Sequence, residues 1–335
     1  MPSMGSRYSI LALVAVLLAV PFIASEYYLS IINLIFIAIV GAIGLNILVG
    51  NTGQVSIGHG AFMSVGAYTA ANLIVRLHAP FWVAIPAGGA MAALVGAIVG
   101  IPSLRIRGIY LVISTLAAQL IIEWLINHVH AISGGTQASI DVPRPTVFGS
   151  KLRSQQHFYF FLAAFVALAI IAAFNLGRTR VGRAFIAVRD QDIAAEIMGI
   201  NITRYKLTAF MISSFYAGVA GVLYTYYLGL ANYEQFQIGV SIDYLAMIII
   251  GGLGSVRGSI LGAIFVTLLP MVIRQLLEAL GSLFGVNTNL GQYIPQMRLI
   301  IFGTLIIAFL TAEPAGLNRL CVNARNYLRK FRYAQ

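Results

Sequence analysis

Charge is scarce in this chain. Asp, Glu, Lys and Arg together make up only 9% of its 335 residues, whereas they make up about 25% of an average soluble domain. Hydrophobic residues account for 59%. Because so few charges cannot solvate the surface of a soluble globule of this size, much of that surface must face lipid. The composition therefore excludes a soluble domain and predicts a single membrane domain over residues 1–335.

Cysteine is almost absent, and common catalytic motifs are missing. Cys321 is the only cysteine, which excludes a disulfide framework and a cysteine metal site. The sequence has no Gly-x-x-x-x-Gly-Lys-Ser/Thr loop for ATP, and no Gly-x-Ser-x-Gly elbow that would make a protease of Ser56 and His59. His128 and His130 lie on opposed faces of a helix and make a poor metal site. We therefore expect no catalytic residue, metal or cofactor in this chain.

Long apolar stretches dominate the sequence instead. Because backbone groups in lipid must bond within their own helix, each span needs about 20 mostly apolar residues. The third and eighth stretches are short or broken by glycine, and either could be an interrupted or re-entrant helix. This rule predicts an all-α polytopic membrane protein of about ten transmembrane helices, at residues 8–25, 28–50, 57–77, 80–102, 108–128, 157–176, 206–229, 239–253, 258–279 and 293–312.

The net charge of +11 is concentrated between apolar stretches, in residues 178–206 and 319–332. This placement favours membrane topology over a nucleic-acid surface, so nucleic acid is not an expected partner. With both termini in the cytoplasm, 15 of the 21 Lys and Arg residues lie inside. Because cytoplasmic loops carry an excess of positive charge, we predict cytoplasmic termini, a cytoplasmic loop at 178–206 and an external segment at 129–156. The first stretch is interpreted as a retained helix rather than a cleaved signal peptide.

Small residues recur at every fourth position in two of the predicted spans. A four-residue step keeps them on one helix face, where two backbones can approach closely. The pattern therefore predicts tight helix packing at Ala84, Gly88, Ala92, Gly96 and Gly100 in one span and at Ala209, Ser213, Ala217, Gly221 and Thr225 in the other.

A weak internal similarity joins residues 53–58 (GQVSIG) to residues 254–259 (GSVRGS). Each segment lies beside one of the two spans that could be interrupted. Transporters often place their binding site between repeats that contain broken helices. Glycine-rich turns also recur by chance, so the sequence leaves both interpretations open.

The loop between the sixth and seventh spans contains a short helical pattern over residues 190–199. Asp190 or Asp192 can accept hydrogen bonds from the free N–H groups at a helix start, and Gly199 suits the left-handed residue that ends a helix. Such a helix is too short to be stable alone in water. It therefore needs a partner surface, in its own bundle or on another protein, for its apolar residues Ile193, Ala194, Ile197 and Met198.

Ordered glycine-rich motifs run through the chain from about residue 28 to residue 312, leaving a basic tail at 313–335. They are Gly44-Leu45-Asn46, Gly50, the run from Gly53 to Phe62, Gly66-Ala67-Tyr68, Arg107-Gly108-Ile109-Tyr110, Thr115-Leu116-Ala117, Gly182-Arg183-Ala184, Arg189, Ala194-Ala195, Gly199-Ile200 and the run from Gly251 to Ser255. In this ordered set the chain resembles the permease subunits of ABC importers for branched-chain amino acids (LivM-type).

The resemblance implies a cytoplasmic coupling helix that docks on an ATPase and has the pattern Glu-Ala-Ala, three residues, Gly. Ala194, Ala195 and Gly199 fit this pattern, whereas Ile193 stands where Glu would. Either the helix docks mainly by apolar contact, or neighbouring acidic residues provide the charge. The implied coupling residues are Arg189, Asp190, Asp192, Ala194, Ala195, Glu196 and Gly199.

The same resemblance implies a set of partners. They are a second related permease subunit, two ATP-binding cassette subunits that would hold ATP and Mg, and an extracellular or periplasmic substrate-binding protein. The chain would lie in the lipid bilayer of the bacterial plasma (inner) membrane. Leucine, isoleucine or valine is the implied substrate, although relatives move urea, amides or other amino acids.

Polar side chains within the spans are candidates for the substrate pathway, because such groups usually face the bundle interior or a water-filled cavity. One set recurs at four-residue intervals on a face of the fifth span, and a second lies near the broken third span. The alternative is that they bond neighbouring helices, which is favoured for Thr115 and for the lone histidine. The candidates are Thr115, Gln119 and Glu123 in the first set and Asn46, Gln54 and His59 in the second.

Two functions follow from the sequence: the permease of an ATP-driven importer, and an ion-coupled secondary transporter or channel that acts without an ATPase. The second needs ionisable groups in the membrane, and the spans offer only Glu123, Asp243 and Glu278. The resemblance favours the importer.

Overall fold

The computed structural model describes residues 18–103, 108–134, 138–147, 150–151 and 154–283, together with isolated positions between 297 and 319. Four short strands lie in the connections: β1 (Ser139–Asp141), β2 (Thr146–Val147), β3 (Ser150–Lys151) and β4 (Leu230–Asn232), the last followed by a 3-10 turn (Tyr233–Phe236). The principal helices are α1 (Glu26–Thr52), α2 (His59–Leu77), α3 (Phe81–Ser103), α4 (Ile109–His128), α5 (His130–Ser133), α6 (Gln155–Arg178), α7 (Arg180–Asp190), α8 (Asp192–Ile197), α9 (Ile202–Leu228), α10 (Ile238–Gly251) and α11 (Val256–Leu283).

Six helices in the described part of the chain are long and apolar enough to cross a membrane: α1, α3, α4, α6, α9 and α11. They confirm an all-α polytopic membrane protein, but not the predicted count of about ten. The predicted spans at 8–25 and 293–312 lie largely outside the described residues. Helix α10 has 14 residues and rises about 21 Å, which is less than the ~30 Å hydrocarbon core.

Helix α1 lies at the centre of the bundle. It contacts α6, α9, α10 and α11, and 83% of its most apolar stretch is buried, against 28% for α4 and for α6. The high apolarity of α1 therefore serves contacts within the protein, whereas α4 and α6 leave most of their surface for lipid or for a partner chain.

Helix α9 packs against α1, α2 and α3 along its small residues. A Cβ atom added to Gly88 in α3 would lie 2.5 Å from Val222 Cγ2, and one added to Gly218 in α9 would lie 2.5 Å from Ala92 Cβ. Real side chains do not approach so closely, so only glycine at these positions allows the backbones to meet. The tight packing predicted from the four-residue pattern is confirmed.

The two ends of the bundle differ in character. Helices α1 and α9 run antiparallel: Tyr227 Oη donates to the Ser30 carbonyl at one end (3.3 Å), and Gln54 Nε2 donates to the Lys206 carbonyl at the other (3.2 Å). We call the first the strand end, because β1 pairs there with β4 in antiparallel register. The second, which carries α7 and α8, we call the basic end.

Candidate functional site

The two glycine-rich segments that resemble each other in sequence meet in the structure. Gly53, which follows α1, has φ +71°, and Gly254, between α10 and α11, has φ +77°. Both adopt the left-handed conformation that glycine tolerates best. A Cβ atom on Gly50 would lie 2.9 Å from Gly254 Cα, so the two backbones are in contact. We call residues 50–54 and 252–255 the glycine junction.

Asn46 ties the last two turns of α1 to this junction. Its Oδ1 accepts a hydrogen bond from the Gly254 N–H at 2.8 Å. Its Nδ2 donates to the Ser255 carbonyl at 2.9 Å and to Ser259 Oγ at 2.7 Å. Asn46 is buried, and both ends of its amide are bonded within the chain.

Arg189 reaches the glycine junction from the end of α7. Its Nη1 donates to the Gly50 carbonyl at 2.9 Å, and its Nε donates to Asp190 Oδ1 at 2.9 Å. A Cβ atom on Gly53 would lie 3.3 Å from Arg189 Cγ, and one on Gly254 would lie 3.0 Å from Nη1. The guanidinium thus contacts both broken segments, and Arg189 lies three positions before Asp192, where α8 begins.

Three more of the predicted pathway residues are bonded to the backbone of broken or connecting segments. Gln54 Nε2 donates to Thr52 Oγ1 at 3.0 Å as well as to the Lys206 carbonyl. Thr115 Oγ1 accepts from the Ile57 N–H at 3.1 Å. Gln119 Oε1 accepts from the Ala61 N–H at 2.7 Å, and its Nε2 donates to the Phe236 carbonyl at 2.8 Å. The contacts made by these residues are structural, and their assignment to the pathway stays a prediction.

His59 and Glu123 stand apart from these bonded groups. The His59 ring is buried against the Tyr244 ring, with 4.8 Å between the centroids. Its Nε2 finds no hydrogen-bond partner among the described residues. Glu123 lies one turn beyond Gln119 on α4 and is partly exposed. The sequence correctly placed Thr115, Gln119 and Glu123 on one helix.

The loop helix predicted at residues 190–199 is divided in the structure. Helices α7 and α8 meet at Gln191, whose backbone is extended (φ −155°, ψ 102°), so the residue that precedes α8 is neither of the two predicted aspartates. Asp192 lies in the first turn of α8. The left-handed stop is confirmed: Gly199 has φ +85°, and the Ile200 N–H donates to the Ala195 carbonyl at 3.0 Å.

Helix α8 turns apolar side chains outward. Ile193 is 67% exposed, Ile197 82% and Met198 83%. Ala195 faces the opposite way and is buried against its own chain, whereas Ala194 and Glu196 are exposed. Contiguous exposed apolar side chains on a polar loop indicate a surface for another protein.

Two cavities flank the centre of the bundle. A cavity of about 790 Å³ at the basic end is lined by residues 52–54 and by α7 and α8, including Gln54, Arg189 and Asp192. A cavity of about 390 Å³ toward the strand end is lined by α1, α10 and α11, with Glu234 and Asp243 in its wall. The sequence identified Asp243 only as a possible ion-coupling group and missed Glu234, because a short 3-10 turn has no hydropathy pattern.

The described residues contain no group of three His, Cys, Asp or Glu side chains that could hold a metal ion. What they do contain is a bundle of membrane helices, broken at a glycine junction, with a loop helix that presents an apolar face to water. This arrangement is that of a polytopic membrane protein with an exposed apolar surface on a loop.

Comparison with known proteins identifies the family. The family model for the permease component of branched-chain amino acid transport systems matches residues 27–310, and the chain belongs to this family. It is 34% identical over 331 residues to the high-affinity branched-chain amino acid transport system permease protein LivM of Escherichia coli (strain K12), covering 92% of this chain and 74% of that protein.

More distant relatives share the same region. The LivH permease protein of Salmonella typhimurium (strain LT2) is 26% identical over 297 residues, which cover 82% of this chain and 89% of LivH. The fructose import permease protein FruG of Bifidobacterium longum is 29% identical over 146 residues, covering 42% of this chain and 38% of FruG. No solved structure matches the chain.

Proposed function

We propose that this chain is the membrane-spanning permease subunit of an ATP-driven ABC importer that carries branched-chain amino acids into the cytoplasm. Membership of the permease family and the similarity to LivM over 92% of the chain support this function. The chain is a transport subunit rather than an enzyme, and ATP is hydrolysed by separate subunits.

The contact that carries the proposal is the connection between α8 and the glycine junction. The apolar face of α8 is a surface that an ATPase subunit can cover, and Arg189 bonds Gly50 just before α8 begins. A displacement of α8 by the ATPase would therefore pull directly on the point where α1 meets the segment between α10 and α11. ATP binding would shift the population between outward-open and inward-open arrangements by this route.

The partners follow from the same proposal. LivM and LivH are both permease proteins, and the chain is similar to each, which supports a second, related permease as its neighbour in the bilayer. Two ATP-binding cassette subunits would hold ATP and Mg at the basic end, and a substrate-binding protein would dock at the strand end. This proposed orientation would put the 178–206 loop and both termini in the cytoplasm of a bacterium, with the chain in the inner membrane.

An ion-coupled secondary transporter is the competing function. It would need ionisable groups within the membrane, and it would have no partner for the exposed face of α8. Neither the family nor the similarity to LivM favours it.

The test uses the complete complex with Ile197→Asp and Ile197→Leu. Because Ile197 is 82% exposed, neither change should disturb the bundle. We expect Ile197→Asp to lose the ATPase subunits on purification and to lower ATP-dependent uptake more than tenfold, since a charge cannot enter an apolar contact cheaply. Ile197→Leu should retain both.

Two results would contradict the importer. One is an Ile197→Asp complex that keeps its ATPase subunits and its uptake. The other is uptake by this chain alone, in sealed vesicles without nucleotide, driven by an imposed ion gradient.

A further inference from the structure

A third cavity, of about 600 Å³, lies between α2, α3 and α4 and reaches the strand end. We call it the apolar groove, because most of its described lining residues are aliphatic. An apolar cavity of about 150 Å³ already takes up a benzene molecule, so we expect an apolar occupant in this larger one. The wall includes Leu73 and Leu77 of α2, Met91 and Val95 of α3, and Ile122 and Leu125 of α4.

The apolar groove opens on the outer surface of the bundle. Leu77 is 71% exposed, Met91 45% and Leu125 38%, so all three wall helices contribute to its rim. The wall extends to Val95, 14 positions after Phe81, where α3 begins. This distance is about 21 Å along the helix. An acyl chain could therefore run in the groove from the surface to the middle of a ~30 Å hydrocarbon core.

Arg76 lies at the outer end of the apolar groove. It is in the last turn of α2 and is exposed, and its Nη1 donates to the carbonyl of Ala131, which also lines the groove. No carboxylate forms an ion pair with Arg76 in the part of the chain that the structure describes. A guanidinium has five N–H donors and binds phosphate through two of them at once. The groove thus combines an apolar channel with a cation at its mouth.

Exposed tryptophans indicate the depth of this cation in the bilayer. Trp82, in the first turn of α3, is 51% exposed, and Trp124, near the end of α4, is 58% exposed. Tryptophan is enriched at the level of the lipid headgroups. Because Arg76 bonds Ala131, just beyond the end of α4, its guanidinium lies at the level where lipid phosphates lie.

The wall favours an acyl chain over a second transmembrane helix. Helices in membranes approach closely where Gly, Ala, Ser or Thr line the contact, and Thr69 is the only such residue among the described groove residues of α2, α3 and α4. The small residues of α3 face α9 instead: a Cβ atom added to Gly96 would lie 2.2 Å from Ser214 Oγ. The side of α3 in the groove carries Met91 and Val95.

We propose that the apolar groove binds a phospholipid of the leaflet at the strand end, with its phosphate at Arg76 and one acyl chain between α3 and α4. Each CH₂ group that leaves water or polar surroundings for this wall is stabilised, and the charge at the mouth fixes which end of the lipid enters. Only 28% of the most apolar stretch of α4 is buried, so the lipid would complete the packing of this helix.

Photolabelling of the complete transporter in proteoliposomes tests this site. The probe is phosphatidylglycerol with a diazirine near the end of one acyl chain, and peptide mass spectrometry locates the labelled residues. We expect labels on Val95 and Ile122, measured relative to Ile113, an exposed residue of α4 outside the described groove wall. Arg76→Gln should lower this ratio about fivefold, whereas Arg76→Lys should largely keep it. Arg178→Gln, the same change at the basic end, is the control and should leave the ratio unaltered.

A second pair of variants and a second probe identify what the groove recognises. Leu125→Trp fills the groove and should remove the labels, whereas Leu120→Trp, at an exposed position of α4 outside the described wall, should keep them. A diazirine diacylglycerol, which has the acyl chains without the phosphate, should label the groove about fivefold less than the phospholipid.

Three results would overturn the lipid site: no label in the groove of the unaltered transporter, equal labelling in Arg76→Gln, or equal labelling by diacylglycerol. If Met91→Cys instead forms cross-links to a helix of a second permease subunit and the groove takes no label, a partner helix occupies it and the proposal fails. Labelling needs neither ATP nor a transported solute, so each of these outcomes leaves the proposed importer function unaffected.

Discussion

The amide of Asn46 bonds three groups near the glycine junction: the Gly254 N–H, the Ser255 carbonyl and the Ser259 hydroxyl. From the sequence, an asparagine in a membrane span suggested a pathway residue. The structure shows that it holds a broken segment in place, which is another use of a polar side chain in a membrane helix. Its assignment to the pathway stays a prediction.

Replacing Asn46 with leucine removes these three bonds and leaves the junction groups buried. Because the Ser255 carbonyl and the Ser259 hydroxyl keep other partners, the Gly254 N–H is the group left without its bond. At about 1–3 kcal/mol for such a buried group, we expect a loss of about 2 kcal/mol of stability. Thermal unfolding of the detergent-purified chain should show a midpoint lower by roughly 5 °C or more. Asn175→Leu, at an exposed position on α6, is the control and should not lower it. An unchanged midpoint in Asn46→Leu would show that the junction does not depend on this amide.

Among the elements, helix α8 packs against its own chain on one side and is exposed to solvent on the other. Its buried residue is Ala195, so enlarging that side chain would damage the contact with its own chain and could not report on a partner. The residues that can report are Ile193, Ile197 and Met198. The backbone of Gly199, at φ +85°, fixes where α8 ends and hence how its outer face is presented.

Gly199→Val should uncouple ATP hydrolysis from uptake. A Cβ atom there meets nothing within 4 Å, so the effect would come from the backbone, where a left-handed conformation costs a branched residue roughly 1–2 kcal/mol. The matched control is Gly177→Val at the end of α6, where the added Cβ also meets nothing and φ is not positive. The measurement is the ratio of amino acid imported to ATP hydrolysed in proteoliposomes. Equal ratios in the two variants would remove Gly199 from coupling.

The sequence predicted most of the described elements and few of their contacts. A membrane span can be predicted from the length of its apolar stretch, which is a local property. The sequence therefore predicts α1, α3, α4, α6, α9 and α11. The use of each polar residue depends on segments far away in the chain: Asn46 bonds Ser255 across 209 positions. The cavity toward the strand end could not be predicted for the same reason, since α1, α10 and α11 form it only when folded.

At the scale of the whole molecule, we expect charge to set the orientation in the bilayer. The basic end carries Arg178, Arg180, Arg183, Arg189, Arg204 and Lys206 between α6 and the first turns of α9. Because positive loops remain in the cytoplasm, we expect the strand end to be the face toward the substrate-binding protein.

Single cysteines in a Cys321→Ser background test this orientation. Thr179 and Asp141 are exposed positions at the basic end and the strand end. In intact cells, an impermeant thiol reagent should label Asp141→Cys and leave Thr179→Cys unlabelled until the membrane is opened. Labelling of position 179 but not of position 141 from outside would invert the topology, and with it the face at which the ATPase docks.

The central position of α1 has a consequence for how the protein is made. Helix α1 is the first complete membrane helix in the described chain, yet the groups that cover the Asn46 amide are synthesised 209 and 213 residues later. At about 5–20 residues per second, that interval lasts roughly 10–40 s. Throughout it, a helix meant for the centre of the bundle lies in lipid with an uncovered amide, as an intermediate that membrane chaperones and proteases can recognise. A chain whose translation stops before Ser255 would keep the Asn46 amide uncovered permanently.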